Sequence, residues 1–128
     1  MKYVSLFLQI ALGFYFIQLG LGYIFAPTPE LLANFTRWGY PLWFVPVVGA
    51  VEAVAAVGLL FGTREGHVAA AAALLLAATM SGAVLTHLVT ADGGWPFPLI
   101  LLLLSLIVAR IQFPALEAWW AERQAKRQ

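Results

Sequence analysis

The sequence predicts an all-α polytopic membrane protein, namely a four-transmembrane-helix up-down bundle with short interfacial helices. Of the 128 residues, 62% are hydrophobic and only 10% are charged, whereas soluble domains carry about 25% charged residues. Four apolar segments reach the length of about 20 residues that a helix needs to cross a bilayer. We therefore expect a single membrane domain that covers residues 1–128.

The four predicted spans cover about residues 3–25, 42–62, 68–91 and 95–113. An interfacial tail over 114–128 follows them. Proline, glycine and charged residues separate the spans, as expected where helices end in water. The first span could alternatively be a signal peptide. Only Lys2 precedes it, however, and no small-residue cleavage pattern follows before Pro27. A membrane-spanning helix is the favoured interpretation.

The distribution of basic residues predicts the orientation. With an even number of spans, both termini lie on the same side as the loop over 63–67, and that side carries all Lys and Arg residues except Arg37. Cytoplasmic segments near span ends are enriched in Lys and Arg. We therefore expect a multi-pass protein of the cell (inner) membrane whose N- and C-termini are cytoplasmic.

Two short segments outside the spans have the pattern of interfacial helices. Thr28 is a candidate N-cap and Pro29 suits the first helical position, so residues 29–38 are expected to form a helix on the outer surface, or else an irregular loop. The tail after Pro114 contains Trp119 and Trp120 before a basic end, which is typical of an amphipathic helix at the headgroups. Aromatic residues near the first segment suit the outer interface: Trp38, Tyr40 and Trp43.

Composition excludes several functions. A formal net charge of +1 gives no electrostatic basis for nucleic-acid binding. The absence of cysteine excludes thiolate catalysis and iron–sulfur ligation. His67 and His87 would lie about 30 Å apart on one helix, so a single protomer could not place both on one metal. No catalytic or metal-binding residues are predicted, and we do not expect the chain to be an enzyme by itself.

Glu52 is the main candidate functional residue, because it lies near the middle of the second span. An acidic side chain at that depth costs roughly 2.5–3.5 kcal/mol on insertion scales and commonly marks a functional site. Helix register places further polar residues in the outer half of the bundle. The predicted ligand- or proton-binding set, which would line an outward-facing cleft, is Glu52, His87, Gln18, Tyr15 and Thr90.

A purely structural role is the alternative for both ionisable candidates. Glu52 would then be an interhelical clamp that donates a hydrogen bond to Gln18 or to a carbonyl, and His87 would be an interface residue near the headgroups. Small residues four apart, such as Gly58 and Gly62, favour close helix packing. We expect that packing to occur within the chain, although a homodimer is also compatible with the spacing.

Three passages resemble one known family. They are Ile10 to Gly13 continuing through Leu19 to Phe25, Val48 to Glu52 continuing through Gly58 to Leu60, and Ser81 to Leu88. Together, in this order, they resemble the first three helices of the DoxX-like membrane proteins. The resemblance implies a four-helix membrane protein, with Glu52 as the intramembrane acid and His87 as the polar residue of the third helix. Members of the DoxX-like family are described as subunits of thiosulfate:quinone oxidoreductase or as membrane partners in thiol and oxidative-stress complexes.

Three functions are compatible with these features. The favoured one is an accessory membrane subunit that binds a quinone or another lipophile near Glu52 and His87 and serves a soluble or membrane-bound redox partner. The second candidate is a small proton-coupled transporter, which also needs a buried acid. The third is a scaffold or assembly factor, which would need none. We expect no cofactor apart from a quinone, which would be bound non-covalently. The lipid bilayer is the expected environment of the protein.

Overall fold

A computed structural model describes all 128 residues, and every regular element is an α-helix. The helices are α1 (Lys2–Phe25), α2 (Pro29–Arg37), α3 (Phe44–Phe61), α4 (Gly66–Thr90) and α5 (Pro96–Lys126). Four of them, α1, α3, α4 and α5, are long and apolar enough to cross a membrane. The all-α, four-span prediction is confirmed, and the sequence-based span limits agree within a few residues except at the end of α5.

The four long helices form an up-down bundle in which α1 packs against α3 and α5, and α4 packs against α3 and α5. We call the end that carries α2 and the α4–α5 turn the α2 end, and the opposite end the terminal end. Large apolar side chains such as Phe7, Val54 and Val89 are exposed on the outside of the bundle. A surface of this kind requires a covering, and a bilayer supplies it.

Two glycines allow α3 and α4 to pack unusually closely. A Cβ built on Gly58 of α3, or on Gly62 directly after that helix, would lie within 2.8 Å of atoms of Ala72 or Ala69 in α4. Gly58 and Gly62, whose spacing is also compatible with a homodimer contact, therefore pack against α4 of the same chain, as expected from the sequence. Tight backbone approach through small residues is the usual way in which membrane helices associate.

A buried polar network joins three helices towards the terminal end. Ser5 donates a hydrogen bond to Gln9 Oε1 at 2.7 Å, and Gln9 Nε2 donates to the Leu59 carbonyl at 3.1 Å. Gln112 Nε2 donates to Ser5 Oγ at 2.8 Å and to Gln9 Oε1 at 3.1 Å. Buried polar groups need such partners, so this network links α1, α3 and α5.

The fourth span does not end where the sequence suggested. We expected a break at Pro114 and a separate interfacial tail, but α5 continues through Pro114 to Lys126. A proline removes one backbone hydrogen bond, here to the Arg110 carbonyl, without requiring the helix to stop. The 31-residue helix is about 46 Å long, so it extends beyond a hydrocarbon core of about 30 Å.

The extension of α5 is attached to the start of α4. The imidazole of His67 stacks on the indole of Trp119 with ring centroids 5.0 Å apart, and the Arg123 guanidinium lies 5.1 Å from the centre of the same indole. Trp120 is 54% exposed. Only one of the two tryptophans is therefore free to act as the interfacial anchor that the sequence predicted for both.

The helix predicted before the second span is present as α2. Thr28 is its N-cap, because Thr28 Oγ1 accepts a hydrogen bond from the Leu31 amide at 3.1 Å, and Pro29 begins the helix. Gly39 follows with φ of 89°, a value that glycine adopts readily. Phe35 is the buried residue of α2, and it fixes the helix over the end of the bundle.

Candidate functional site: a cavity at the α2 end

A cavity of about 440 Å³ lies between α1, α3, α4 and α5 and extends beneath the loop after α2. This volume is within the usual range for small-molecule sites, roughly 300–1,000 Å³. Sixteen of its 22 lining residues are hydrophobic. Half of these hydrophobic residues are aromatic: Tyr15, Phe16, Tyr23, Phe35, Trp38, Tyr40, Phe44 and Phe97.

Glu52 is a buried polar residue of this cavity. Its side chain is 3% exposed, and Oε2 has no hydrogen-bond partner. Residues one helical turn away are small, Gly49 and Ala56, so α3 can bring the carboxyl group inward between its neighbours. No hydrogen bond connects Glu52 to Gln18 or to a backbone carbonyl, so the clamp interpretation lacks the contact that it requires.

Polar side chains at the α2 end of the cavity form two hydrogen-bonded sets, and we call them together the mouth group: Trp38, His87 and Asp92 in one set, Tyr40 and Thr86 in the other. His87 Nδ1 lies 2.7 Å from Asp92 Oδ1, and Trp38 Nε1 donates to Asp92 Oδ2 at 2.9 Å. The Tyr40 hydroxyl lies 2.7 Å from Thr86 Oγ1. Residues separated by about fifty positions in the chain are thereby joined across the mouth.

A left-handed turn at the end of α4 positions Asp92. Ala91 has φ of 53°, which is uncommon for a residue with a side chain, and the turn brings Asp92 back alongside His87. The Gly94 amide donates to Asp92 Oδ1 at 2.9 Å. This bond, with those from His87 and Trp38, lowers the pKa of Asp92 from 3.8 to about 2. Asp92 is therefore a stable carboxylate at neutral pH.

The structure brings three of the five predicted site residues together. Tyr15, Glu52 and His87 line one cavity. Gln18 does not, because α1 directs Leu19 and Tyr23 to the cavity wall, while Gln18 faces a separate groove beside α2.

Thr90 is also outside the cavity. Its hydroxyl donates to the Thr86 carbonyl at 2.8 Å, within its own helix. It follows Thr86 by one helical turn and so lies beyond the polar side chains of the mouth. The expectation that Gln18 and Thr90 share the cleft with Glu52 is corrected on both counts.

Most of the mouth group was not predicted from the sequence. Asp92 lies between the third and fourth predicted spans, and Trp38 and Tyr40 were expected at the outer interface. Trp43 is 68% exposed and fits that belt, whereas Trp38 and Tyr40 line the cavity. The five-residue spacing of His87 and Asp92 around a helix end was the available signal, since a helix that stops with a turn can fold such a carboxylate back.

Comparison with known proteins agrees with this architecture. A family model described as the DoxX-like family matches residues 7–108, a range that includes every residue lining the cavity. The chain belongs to the DoxX-like family. This DoxX-like protein is also similar to the uncharacterized protein YdgD of Bacillus subtilis (strain 168), with 25% identity over 85 aligned residues. The aligned region covers 66% of this chain and 74% of the relative. No solved structure matches the chain.

Proposed function

We propose that this DoxX-like protein is a membrane subunit that binds a lipophilic ring of the quinone class in the cavity at the α2 end and serves a partner oxidoreductase. The observation that carries the proposal is the unpartnered Glu52 Oε2 in an aromatic-lined, ligand-sized cavity. A buried polar atom without a partner is destabilising. A ligand oxygen that hydrogen-bonds to Glu52 would remove that penalty.

The residues present fit such a ligand. The aromatic walls suit a flat ring, and the Glu52 carboxyl group can donate a hydrogen bond to a ring oxygen when protonated or accept one when ionised. A bound quinone would supply the electron-carrying chemistry that a chain without cysteine does not provide through thiols. Glu52 would hold the ring and could exchange a proton with it, while electrons would come from the partner.

Binding of a short-chain benzoquinone to the protein in nanodiscs tests the ligand. We expect saturable binding to the wild type that exceeds partitioning into protein-free nanodiscs, and a loss of affinity of about tenfold, or about 1.4 kcal/mol, in Glu52→Leu. Glu117→Gln, which neutralises an exposed glutamate of the α5 extension, should bind as the wild type does. Equal affinity in Glu52→Leu, or no binding to the folded wild type, would overturn the proposal.

Co-purification tests the partner. A mild-detergent preparation from the native membrane should contain an oxidoreductase in stoichiometric amount, and its quinone-dependent activity should fall with Glu52→Gln and remain with Glu117→Gln. The protein isolated alone or with a non-redox client would instead contradict the accessory role. The binding measurement would still report separately on the cavity.

A further inference from the structure

The hydrogen atoms of the mouth group are all committed to partners inside the chain. Thr86 Oγ1 donates to the Gly82 carbonyl at 2.8 Å, so in its contact with Tyr40 the tyrosine hydroxyl is the donor. Trp38 Nε1–H is used by Asp92. Neither hydroxyl nor the indole therefore has a hydrogen left to offer to a ligand in the cavity, whereas Tyr40 and Thr86 retain oxygen lone pairs.

Asp92 determines what His87 offers. An ionised carboxylate only accepts hydrogen bonds, and Asp92 holds its charge because the amide of Gly94 and the indole of Trp38 also donate to it. The nitrogen facing it, His87 Nδ1, must therefore carry the proton. In the neutral form of His87, which is the form that the inference concerns, the other ring nitrogen, Nε2, carries no hydrogen and is a lone-pair acceptor.

The ring of His87 is also held in place. A Cβ built on Gly94 would lie 2.7 Å from both Cε1 and Nδ1 of His87, so the backbone there packs against that edge of the imidazole. The Trp38 ring stands nearly perpendicular to it, with centroids 5.0 Å apart. Nε2 makes no hydrogen bond within the chain, and His87 lines the cavity.

We infer that the mouth of the cavity is an acceptor-only site that selects a ring bearing a hydroxyl group over the same ring without a donor, and that Asp92 is the positioning residue that creates this selectivity through His87. The inference rests on the proposed function, since it assumes that the cavity takes a lipophilic ring. It adds the ligand class: a phenol-type hydroxyl, which in a quinone couple is the reduced form. The hydroxyl would donate to His87 Nε2.

A matched ligand pair tests the inference, because a para-alkylphenol has the hydroxyl donor that its O-methyl ether lacks, and the two otherwise differ by one methyl group. In nanodiscs, with protein-free discs to correct for partitioning, the wild type should bind the phenol about five- to tenfold more tightly than the ether, as expected for one hydrogen bond of about 1 kcal/mol. In Asp92→Asn the side-chain amide can donate to Nδ1 and allow the proton to move to Nε2. The ratio of the two affinities should then fall to about one or below.

Two further variants distinguish positioning from folding. His87→Phe removes Nε2 and should also abolish the preference while the ether still binds. Glu30→Gln neutralises an acid of α2 outside the cavity lining and should leave the ratio unchanged. Nitrogen-15 NMR gives a ligand-free readout, since the wild-type His87 imidazole should show its proton on Nδ1 and Asp92→Asn should show a mixture or the other tautomer.

The outcomes separate this inference from the proposed function. Equal binding of phenol and ether to the wild type would overturn the acceptor-only mouth while leaving a ring-binding cavity. A preference that survives in Asp92→Asn, or an Nε2-protonated His87 in the wild type, would overturn the role of Asp92. Failure of any ring ligand to bind would refute the proposed function and the inference with it.

Discussion

Gly20 of α1 and Gly49 of α3 touch through their backbones. A Cβ on Gly20 would lie 2.5 Å from the Gly49 carbonyl oxygen, and a Cβ on Gly49 would lie 2.6 Å from the Gly20 carbonyl oxygen. Neither obstacle is the end of a flexible side chain. The crossing is therefore fixed by the absence of side chains at both positions, and it holds the cavity walls of α1 and α3 together.

Replacing Gly20 or Gly49 by alanine should destabilise the bundle. We expect a loss of about 1–3 kcal/mol, because the two helices must separate to admit a methyl group. Unfolding in mixed micelles followed by circular dichroism measures it. Gly22 is the matched control, since a Cβ there would meet nothing within 4 Å, and Gly22→Ala should be neutral or up to about 1 kcal/mol more stable. Equal effects of all three substitutions would contradict the contact.

Glu52→Leu should stabilise the ligand-free protein. Glu52 is 3% exposed and its Oε2 has no hydrogen-bond partner, so the substitution removes a desolvated polar group that costs about 1–3 kcal/mol. An increase in unfolding free energy of that order is expected, together with weaker ligand binding. A stability loss of more than about 1 kcal/mol would instead support the clamp role that the sequence left open.

The two glutamines of α1 should respond differently to the same substitution. Gln9 is 1% exposed and bonds to Ser5, Leu59 and Gln112, whereas Gln18 lies in the open groove beside α2 without a side-chain hydrogen bond. Gln9→Leu should cost about 1–2 kcal/mol of stability, and Gln18→Leu should change it little. Similar stabilities for the two variants in micelles would argue against the network.

The sequence was sufficient for the features that depend on one helix at a time. Span length, the Thr28 cap and the position of Glu52 midway along α3 follow from apolar run length, capping chemistry and helical rise. The contact of Trp38 with Asp92 does not, because it depends on how two loops fold over the bundle. Gln18 was misplaced for a related reason: α1 is apolar around most of its circumference, so periodicity gives little indication of which face turns inward.

α5 continues through Pro114, although proline commonly ends a helix, because contacts with the start of α4 oppose a break there. Gly66 packs so closely on α5 that a Cβ there would lie 2.8 Å from Ala115, and His67 stacks on Trp119 one turn further on. These contacts on the turns after Pro114 favour a helix that continues past the proline. Tertiary packing of this kind is not visible in local sequence.

Acidification should remove the contribution that the Asp92 carboxylate makes to the stability of the folded protein. Because the hydrogen bonds of the folded protein lower the pKa of Asp92 from 3.8 to about 2, the carboxylate stabilises the folded state fully above 3.8, and this contribution is lost as the pH falls towards 2. Unfolding midpoints measured across that window should decline less steeply in Asp92→Asn than in the wild type. Glu30→Gln should retain the wild-type slope, and parallel slopes for all three proteins would show that Asp92 gains nothing from His87, Trp38 and Gly94.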